Sequence, residues 1–547
     1  MLKKLAVPVL LLGLGCAAVL PRAVAAEAPT RAAALDTMKR ATTFMVDKVS
    51  YKGGYVWSYL PDFSRQWGEM EARRTMIWMQ APGTSEMGQI YLDAYHVTGD
   101  EFYYQAAEQV ASAVIWAQLP CGGWNYIADF AGEHSLRDWY DTVGKNGWRL
   151  EEFLHYYGNA TFDDSVSSLA AQFLLRMYVE KRDPKFKPAL DKAIQFVLDS
   201  QYPIGAWPQR YPLMYEYSDH GLPDYTSFLT FNDDVIAENI DFLLQCYQVL
   251  GEKRVLDPIL RGMNSFLVTQ QGAPQAGWAL QYTTDLKPAG ARTYEPTAMV
   301  THTTAANIEN LLKFYRLTGE TKFLARIPEA IDWLESVHLS ADVLKNGNGR
   351  GEYPTFLEVG TNKPLYVHRT GSNVVNGYYY VDYNPKNTIG HYSSFRSIDV
   401  AGLRQRYAAA KAMSPEEATK GSPLRPGAGL IDLPRVVTRA GGAGFFGGGG
   451  GGRGGPGGRG GNTGDRIAQL IASLNADGYW PTPLRSTSHP YKGDGSKEVT
   501  PGDYSHAQVG DDTDTSPYTD PNPAMGISTA AYMRNMATLL EFLDRAK

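Results

Sequence analysis

Apolar residues recur at helical spacing in long stretches of this chain, and the stretches alternate between two kinds. Those of the first kind, at 33–49, 102–118, 189–198, 256–270 and 467–474, each run into a turn that pairs glycine with tryptophan. The tryptophans are Trp57, Trp124, Trp207, Trp278 and Trp480. Stretches of the second kind, at 87–97, 166–179, 235–250 and 306–317, mostly meet a glycine (Gly99, Gly251, Gly319) suited to a left-handed helix terminus. Helix pairs repeated in this way predict an all-α protein assembled from helical hairpins. Asp164 precedes Tyr178 by the same interval as Asp233 precedes Tyr247, which fixes the register of the repeat. The second kind resumes at 527–543, so the hairpins are expected to close into an α/α toroid rather than run as an open solenoid with polar end caps.

Three regions break the pattern. Residues 341–400 are rich in Gly, Asn and Tyr and read as long irregular loops or short strands over one face. Residues 441–464 are a Gly-rich insert of low complexity with the composition of a disordered segment. Two arginines there, Arg453 and Arg459, are too few to argue for an RNA-binding tail. Residues 486–522, rich in Ser, Thr, Asp and Pro, read as a surface loop. At the start, Lys3 and Lys4, an apolar run over 5–20 and Ala23-Val24-Ala25 form an export signal. The expected organisation is a signal over 1–25 and one toroid domain over 26–547, interrupted at 441–464, in a secreted or periplasmic monomer. No other apolar run is long enough to span a bilayer.

The net charge of −6 excludes a surface that attracts polyanions as a whole. An anionic ligand would need a local cluster of bases or a bridging cation. Cys121 and Cys246 remain after the signal, and their spacing leaves open whether they pair. The 34 tyrosines and 11 tryptophans suit either sugar stacking or core packing.

Chemistry concentrates in two matching tetrads. Thr161-Phe162-Asp163-Asp164 and Thr230-Phe231-Asn232-Asp233 each sit just before a second-kind helix. One reading is a capping box, with Thr on the helix start and the acid three residues on supporting the first turn. The other is a hard-cation site, because Asp163, Asp164, Asn232, Asp233 and Asp234 offer oxygen ligands that the repeat would bring together. Three further groups carry bases. Lys287, Arg292, Tyr294 and Glu295 lie in one turn, where Arg292 and Glu295 could equally be a surface ion pair. Lys363 and Arg369 flank a Gly-rich loop, and Trp139, Lys145 and Arg149 crowd another.

Ala291-Arg292-x-Tyr294-Glu295-Pro296, Glu358-x-Gly360-Thr361-Asn362-Lys363-Pro364 with Arg369 beyond it, and the twin acidic tetrads resemble the pectate lyases of polysaccharide lyase family 10. The resemblance runs from about Gly122 to Arg369 and more loosely to the end of the chain. It implies a helical toroid, Ca2+ as cofactor and β-elimination of polygalacturonate, leaving 4,5-unsaturated uronide ends. By position it implies Asp163, Asp164 and Asp233 as calcium ligands and Arg292 as the group that removes the C5 proton. Lys363, Arg369, Lys287, Tyr294 and Asn232 are the expected substrate contacts. Asp164 stands where the family usually carries Asn, and Thr355 stands where it tends to carry a base. Two rival readings need no resemblance: an α/α-toroid glycoside hydrolase using Asp163 and Asp233 as its acid and base, and a non-catalytic glycan-binding protein using the Gly-x-Trp turns as platforms.

Overall fold

The computed structural model describes residues 29–144, 151–214, 224–346, 351–370, 378–386, 388, 394–437, 463–484 and 524–545. The expected export signal at 1–25, most of the Gly-rich insert and the expected loop at 486–522 lie outside the described residues.

The helices that carry the repeat are α1 (Arg31–Phe44), α2 (Thr84–Thr98), α3 (Glu101–Ala117), α4 (Val166–Lys181), α5 (Lys187–Asp199), α6 (Val235–Leu250), α7 (Leu256–Thr269), α8 (Thr301–Thr318), α9 (Ile327–Ser336), α10 (Val400–Lys411), α11 (Thr463–Ala472) and α12 (Thr529–Arg545). Their ends follow local chemistry. Thr30 accepts from Ala33 N at the start of α1, and Asp100 accepts from Phe102 N at the start of α3. Gly99, Gly251 and Gly319 end α2, α6 and α8 in the left-handed region. Two boundaries differ from expectation. Thr463 and Gly464, read as the end of the insert, open α11. The last stretch begins as a strand, Met525–Ser528, which pairs with Ser58–Tyr59 before α12 starts.

The second-kind helices form the interior. Between Val166 and Met177 every position of α4 is buried except one, as expected of a helix covered on all sides. α12 packs on α1 and α2, α2 on α3 and α4, α4 on α5 and α6, α6 on α7, and α8 on α7, α9 and α10. α11 returns to α1 and α12, so the two ends of the α/α toroid meet. From the short helix Pro415–Ala418 the chain crosses back over the C-terminal ends of the inner helices. There Ile431 N donates to Gln248 O at 3.0 Å, Arg176 Nη2 to Arg435 O at 3.0 Å, and Val437 N to Asp93 Oδ1 at 3.1 Å.

The Gly-x-Trp turns are structural. Trp124, Trp207 and Trp278 are fully buried. Each indole N–H donates to a carbonyl of its own preceding helix: Val114 O at 2.7 Å, Val197 O at 2.8 Å and Phe266 O at 3.0 Å. This removes the platform role from these tryptophans. The glycine is required by the same packing. Gly122 and Gly205 sit at φ +100° and +102°, and a Cβ on either would lie 2.3 Å from Lys192 O or 2.1 Å from Arg261 O, in the next outer helix. The tryptophan carbonyl then accepts from the residue that leads into an inner helix: Thr161 N, Thr230 N and Val300 N on Trp124, Trp207 and Trp278. Trp57 O accepts Thr529 N at 3.0 Å in the same way, which stitches the first turn to the last hairpin.

Short antiparallel strands decorate the rim where outer helices end and inner helices begin. β1 (Met76–Trp78) pairs with β2 (Ile127–Asp129), β3 (Ala160–Thr161) with β4 (Arg210–Tyr211), and β5 (Leu229–Thr230) with β6 (Gln281–Tyr282). The irregular region forms a sheet in the order β7 (Ala298–Val300), β8 (Phe356–Glu358), β9 (Pro364–Thr370), β10 (Tyr378–Asp382). Cys121 and Cys246 are both free. Among the described residues no helix is long and apolar enough to cross a membrane.

Candidate active site

β3 and β5 each lead into a 3₁₀ turn, Asp163–Ser165 before α4 and Asn232–Asp234 before α6. The two turns share an unusual backbone. Asp164 and Ser165 have φ of 47° and 60°, and Asp233 and Asp234 have φ of 50° and 55°. Left-handed non-glycine residues cost on the order of 1–2 kcal/mol each and are found where surrounding structure forces them. This conformation also undoes the capping box. Thr161 Oγ1 accepts from Asp163 N at 3.1 Å, and Thr230 Oγ1 donates to Phe228 O at 2.9 Å, so neither caps the helix that follows.

The two turns pack against each other, and the Asp163 and Asp233 carboxyls lie close enough to act on each other's titration. Arg292 reaches the same point from the turn between β6 and β7. Its guanidinium is 3% exposed and touches three carboxylates. Nη2 pairs with Asp163 Oδ2, Nε lies 3.1 Å from Glu152 Oε2, and Nη1 lies 3.2 Å from Glu295 Oε1. The Arg292–Glu295 pair is therefore buried, contrary to the surface reading. Glu295 Oε2 also accepts Arg292 N at 3.0 Å, which closes the turn that aims the arginine.

The first hairpins supply a wall that sequence reasoning missed. Tyr126 Oη donates to Asp163 Oδ2. Gln80 Nε2 donates to Glu69 Oε2 at 2.9 Å and to Asp164 Oδ2. Trp78 Nε1 donates to Gln80 Oε1 at 2.8 Å, which turns the amide so that its N–H groups face the carboxylates. Arg210 lies beneath, its guanidinium 4.2 Å from the Tyr157 ring and 5.3 Å from the Tyr126 ring. Among the described residues no carboxylate pairs with Arg210; Nη1 donates to Asn125 Oδ1 at 3.2 Å.

So many acids in one place split in their titration. Burial pushes Asp163 up, but Arg292 and hydrogen bonds from Asp233, Tyr126 and Gln209 more than reverse this and hold it at about 2. Burial, then the Asp163 and Glu69 charges, raise Asp164 well above the usual carboxylate range. Burial, then Asp163 and Asp164, do the same to Asp233. Asp164 and Asp233 still keep part of their surface accessible, whereas Asp163 is sealed. Burial pushes Glu152 to about 7, against the pull of Arg292. Burial would lower Arg292, yet Asp163 and Glu152 outweigh it and fix the guanidinium as a cation.

The other expected contacts scatter. Asn232 is buried and donates to Glu295 Oε1 at 3.2 Å, so it supports the cluster from behind. Tyr294 is buried with its ring 6.0 Å from Arg292 Cζ, and it packs against Tyr379. Lys287 is in an exposed turn, paired with Asp285 at 2.6 Å, and does not join the cluster. Lys363 is exposed between β8 and β9, its Nζ 5.4 Å from the Tyr383 ring. Arg369 sits in β9 opposite Tyr379; its side chain, Lys145 and Arg149 lie outside what is described. Trp139 is core, packed on Trp78, Tyr140 and Phe153. As they stand, no three His, Cys, Asp or Glu side chains among the described residues converge on one point as metal ligands would.

Behind the turns, Ser165 and Ser168 donate to the two oxygens of buried Glu238. Burial pushes Glu238 up to about 8, with partial offset from these serines. The folded protein keeps this proton where the unfolded chain, at 4.5, has released it, so stability falls as pH rises from about 4.5 through about 8. Glu238→Gln is expected to remove on the order of 4 kcal/mol of that loss by pH 8 and little at pH 4.5. Urea unfolding of both proteins across this range checks it: a stability gap that does not widen with pH refutes the account.

No curated protein matches the chain. Among solved structures it is similar to a family 10 polysaccharide lyase from Cellvibrio cellulosa, at 17% identity and TM-score 0.36, over 59% of this chain and 91% of that one. It is also similar to a GH76A α-1,6-mannanase from Salegentibacter sp. (11%, TM-score 0.34, 94% and 99%) and to a sugar epimerase from a ruminal bacterium (10%, TM-score 0.33, 70% and 98%). Residues 137–386 match the pectic acid lyase family. That stretch contributes Glu152, Asp163, Asp164, Asp233, Arg292 and Glu295, so the chain carries the sequence pattern of a pectic acid lyase over the segment that builds most of the cluster.

Proposed function

We propose that the protein cleaves polygalacturonate by calcium-assisted β-elimination. The observation that carries this reading is the burial of Arg292 against Asp163 at the junction of the twin acidic turns. The reaction removes a proton α to a uronate carboxylate and expels the oxygen at C4. Its difficulty is the second negative charge that develops on the carboxylate, which a cation must neutralise.

The residues fit a hard divalent cation. All donors are oxygens, Asp164 and Asp233 are partly accessible, and Asp163 Oδ1 is buried without a hydrogen bond of good geometry. Asp163, Asp164 and Asp233 would hold the ion once Asp163 releases Arg292 and the three carboxylates turn toward one point, which they do not share as they stand. When bound, calcium supplies positive charge to the uronate carboxylate. Arg292 is the group assigned to the C5 proton. The carboxylates around it hold it protonated, so this role requires Asp163 to be engaged elsewhere when substrate is present. Gln80 and Tyr126 orient the two turn carboxylates, and Asn232 and Glu295 fix the arginine's approach.

The hydrolase alternative is disfavoured by distance. An acid and base that flank a glycosidic bond stand about 5–9.5 Å apart with the bond between them, whereas Asp163 and Asp233 sit on two turns packed against each other, and Asp163 is sealed against Arg292. The test is product chemistry. Incubation with de-esterified pectin and calcium is expected to release ends that absorb in the ultraviolet; reducing ends without that absorbance would indicate hydrolysis and overturn the proposal.

A further inference from the structure

Away from the acidic cluster, an aromatic group lies open on the same rim. Trp116, in the last turn of α3, is 48% exposed and stacks on Phe130 with ring centroids 3.7 Å apart and planes 17° apart. Tyr51 tilts against Phe130 at 5.8 Å. Two bases border the rings. Lys52 Nζ lies 4.9 Å from the Phe130 centroid, and Arg74 Cζ lies 5.5 Å from that of Tyr51. Among the described residues neither base pairs with a carboxylate. Asp129, next to Phe130, is buried, and its Oδ1 accepts from Thr75 Oγ1 and Ala131 N.

The placement ties this group to the cluster. Tyr51 and Lys52 follow the end of α1, Trp116 ends α3, and Phe130 follows β2. These are the C-terminal ends of outer helices, the rim on which the acidic turns open α4 and α6. β2 links the two places directly: Tyr126, on Asp163, precedes Phe130 by four residues along extended chain, about 13 Å. A large apolar face left in water is a cost that a ligand can remove, and flat aromatic rings suit the apolar faces of sugar rings. The unpaired bases select for an acidic sugar.

We propose that Trp116, Phe130 and Tyr51, with Lys52 and Arg74, form a second binding platform for an acidic polysaccharide, one that holds the polymer on the rim at a distance from the bond being cleaved. The acidity of the polymer rests on the proposed function; the aromatic platform does not. The platform adds affinity for long chains and leaves the chemical step untouched.

The test compares full-length wild type with Trp116→Ala and Lys52→Ala in two readouts: retardation in gels containing de-esterified or fully esterified pectin, and steady-state cleavage of de-esterified polymer and of its trimer, which leaves at most two residues on the Phe130 side of the bond being cleaved and so stops short of the platform. Each variant is expected to raise the polymer KM roughly fivefold to tenfold, with kcat, trimer cleavage and thermal midpoint unchanged. De-esterified pectin is expected to retard wild type more than esterified pectin, and Lys52→Ala to shrink that difference. Unchanged polymer KM in Trp116→Ala, or an equal loss on trimer, overturns the platform while leaving the lyase reading intact. Wild type that is retarded but releases no unsaturated ends overturns the lyase reading, and the variants' retardation then decides the platform. Absence of retardation by either polymer overturns the platform.

Discussion

Arg292→Ala is expected to lower cleavage of polygalacturonate by about 10³-fold or more, with calcium-dependent binding of the polymer still measurable. The rate follows from losing the group placed at the reacting carbon, where a proton-transfer or charge-stabilising residue contributes about 10²–10⁴-fold. The structure adds a second consequence. Arg292 is the shared partner of Asp163, Glu152 and Glu295, and removing one member of a buried ion network costs about 3–5 kcal/mol. The variant is therefore expected to melt lower, and more so as pH rises and the abandoned carboxyls ionise. Arg292→Lys separates the two effects: it restores a charge but not the planar fork that reaches three acids. It is expected to recover much of the stability and little of the activity. Initial rates followed in the ultraviolet, with thermal melts of all three proteins, check this. Full activity in Arg292→Ala removes the residue from the mechanism.

Chelation is expected to stop cleavage, and added calcium to restore it. Burial and the neighbouring acids raise Asp164 and Asp233 well above the usual carboxylate range, so both bind protons more readily than free carboxylates. A divalent ion that displaces those protons relieves the repulsion, so its affinity falls as pH falls. Calcium at a hundredfold excess over Kd is expected to add about 2.7 kcal/mol of stability by mass action. Asp233→Ala is expected to lose that increment. Cleavage that is indifferent to chelators, or an equal calcium-induced shift in melting temperature in wild type and Asp233→Ala, would remove the metal role from these residues.

The hairpin repeat was legible because helical periodicity and the glycine after each helix are local signals. The twin turns were legible because they are written twice in the same register. Their left-handed backbone was not, since Thr-x-x-Asp reads as a capping box until two consecutive residues at positive φ displace the threonine. Glu295 looked like a surface partner because its spacing from Arg292 says nothing about what covers the pair. Lys287 looked useful because it shares a turn with Arg292, yet the turn points it at solvent and Asp285. Glu69, Gln80, Tyr126 and Arg210 carried no signal: each is a single polar residue in an irregular segment, brought to the cluster by the curvature of the whole assembly. The Gly-x-Trp turns showed their period but not their purpose, which appears only when the indole N–H is seen to bond its own helix.

Tyr126 and Gln80 precede residue 137, and the hairpin that carries them is sewn to the far end of the chain through Trp57 and Thr529. A fragment trimmed to 137–386 would therefore keep the turn acids and the arginine but lose Glu69 and the hands that steady Asp163 and Asp164. Grafting this chemistry into another scaffold means transplanting both termini along with it.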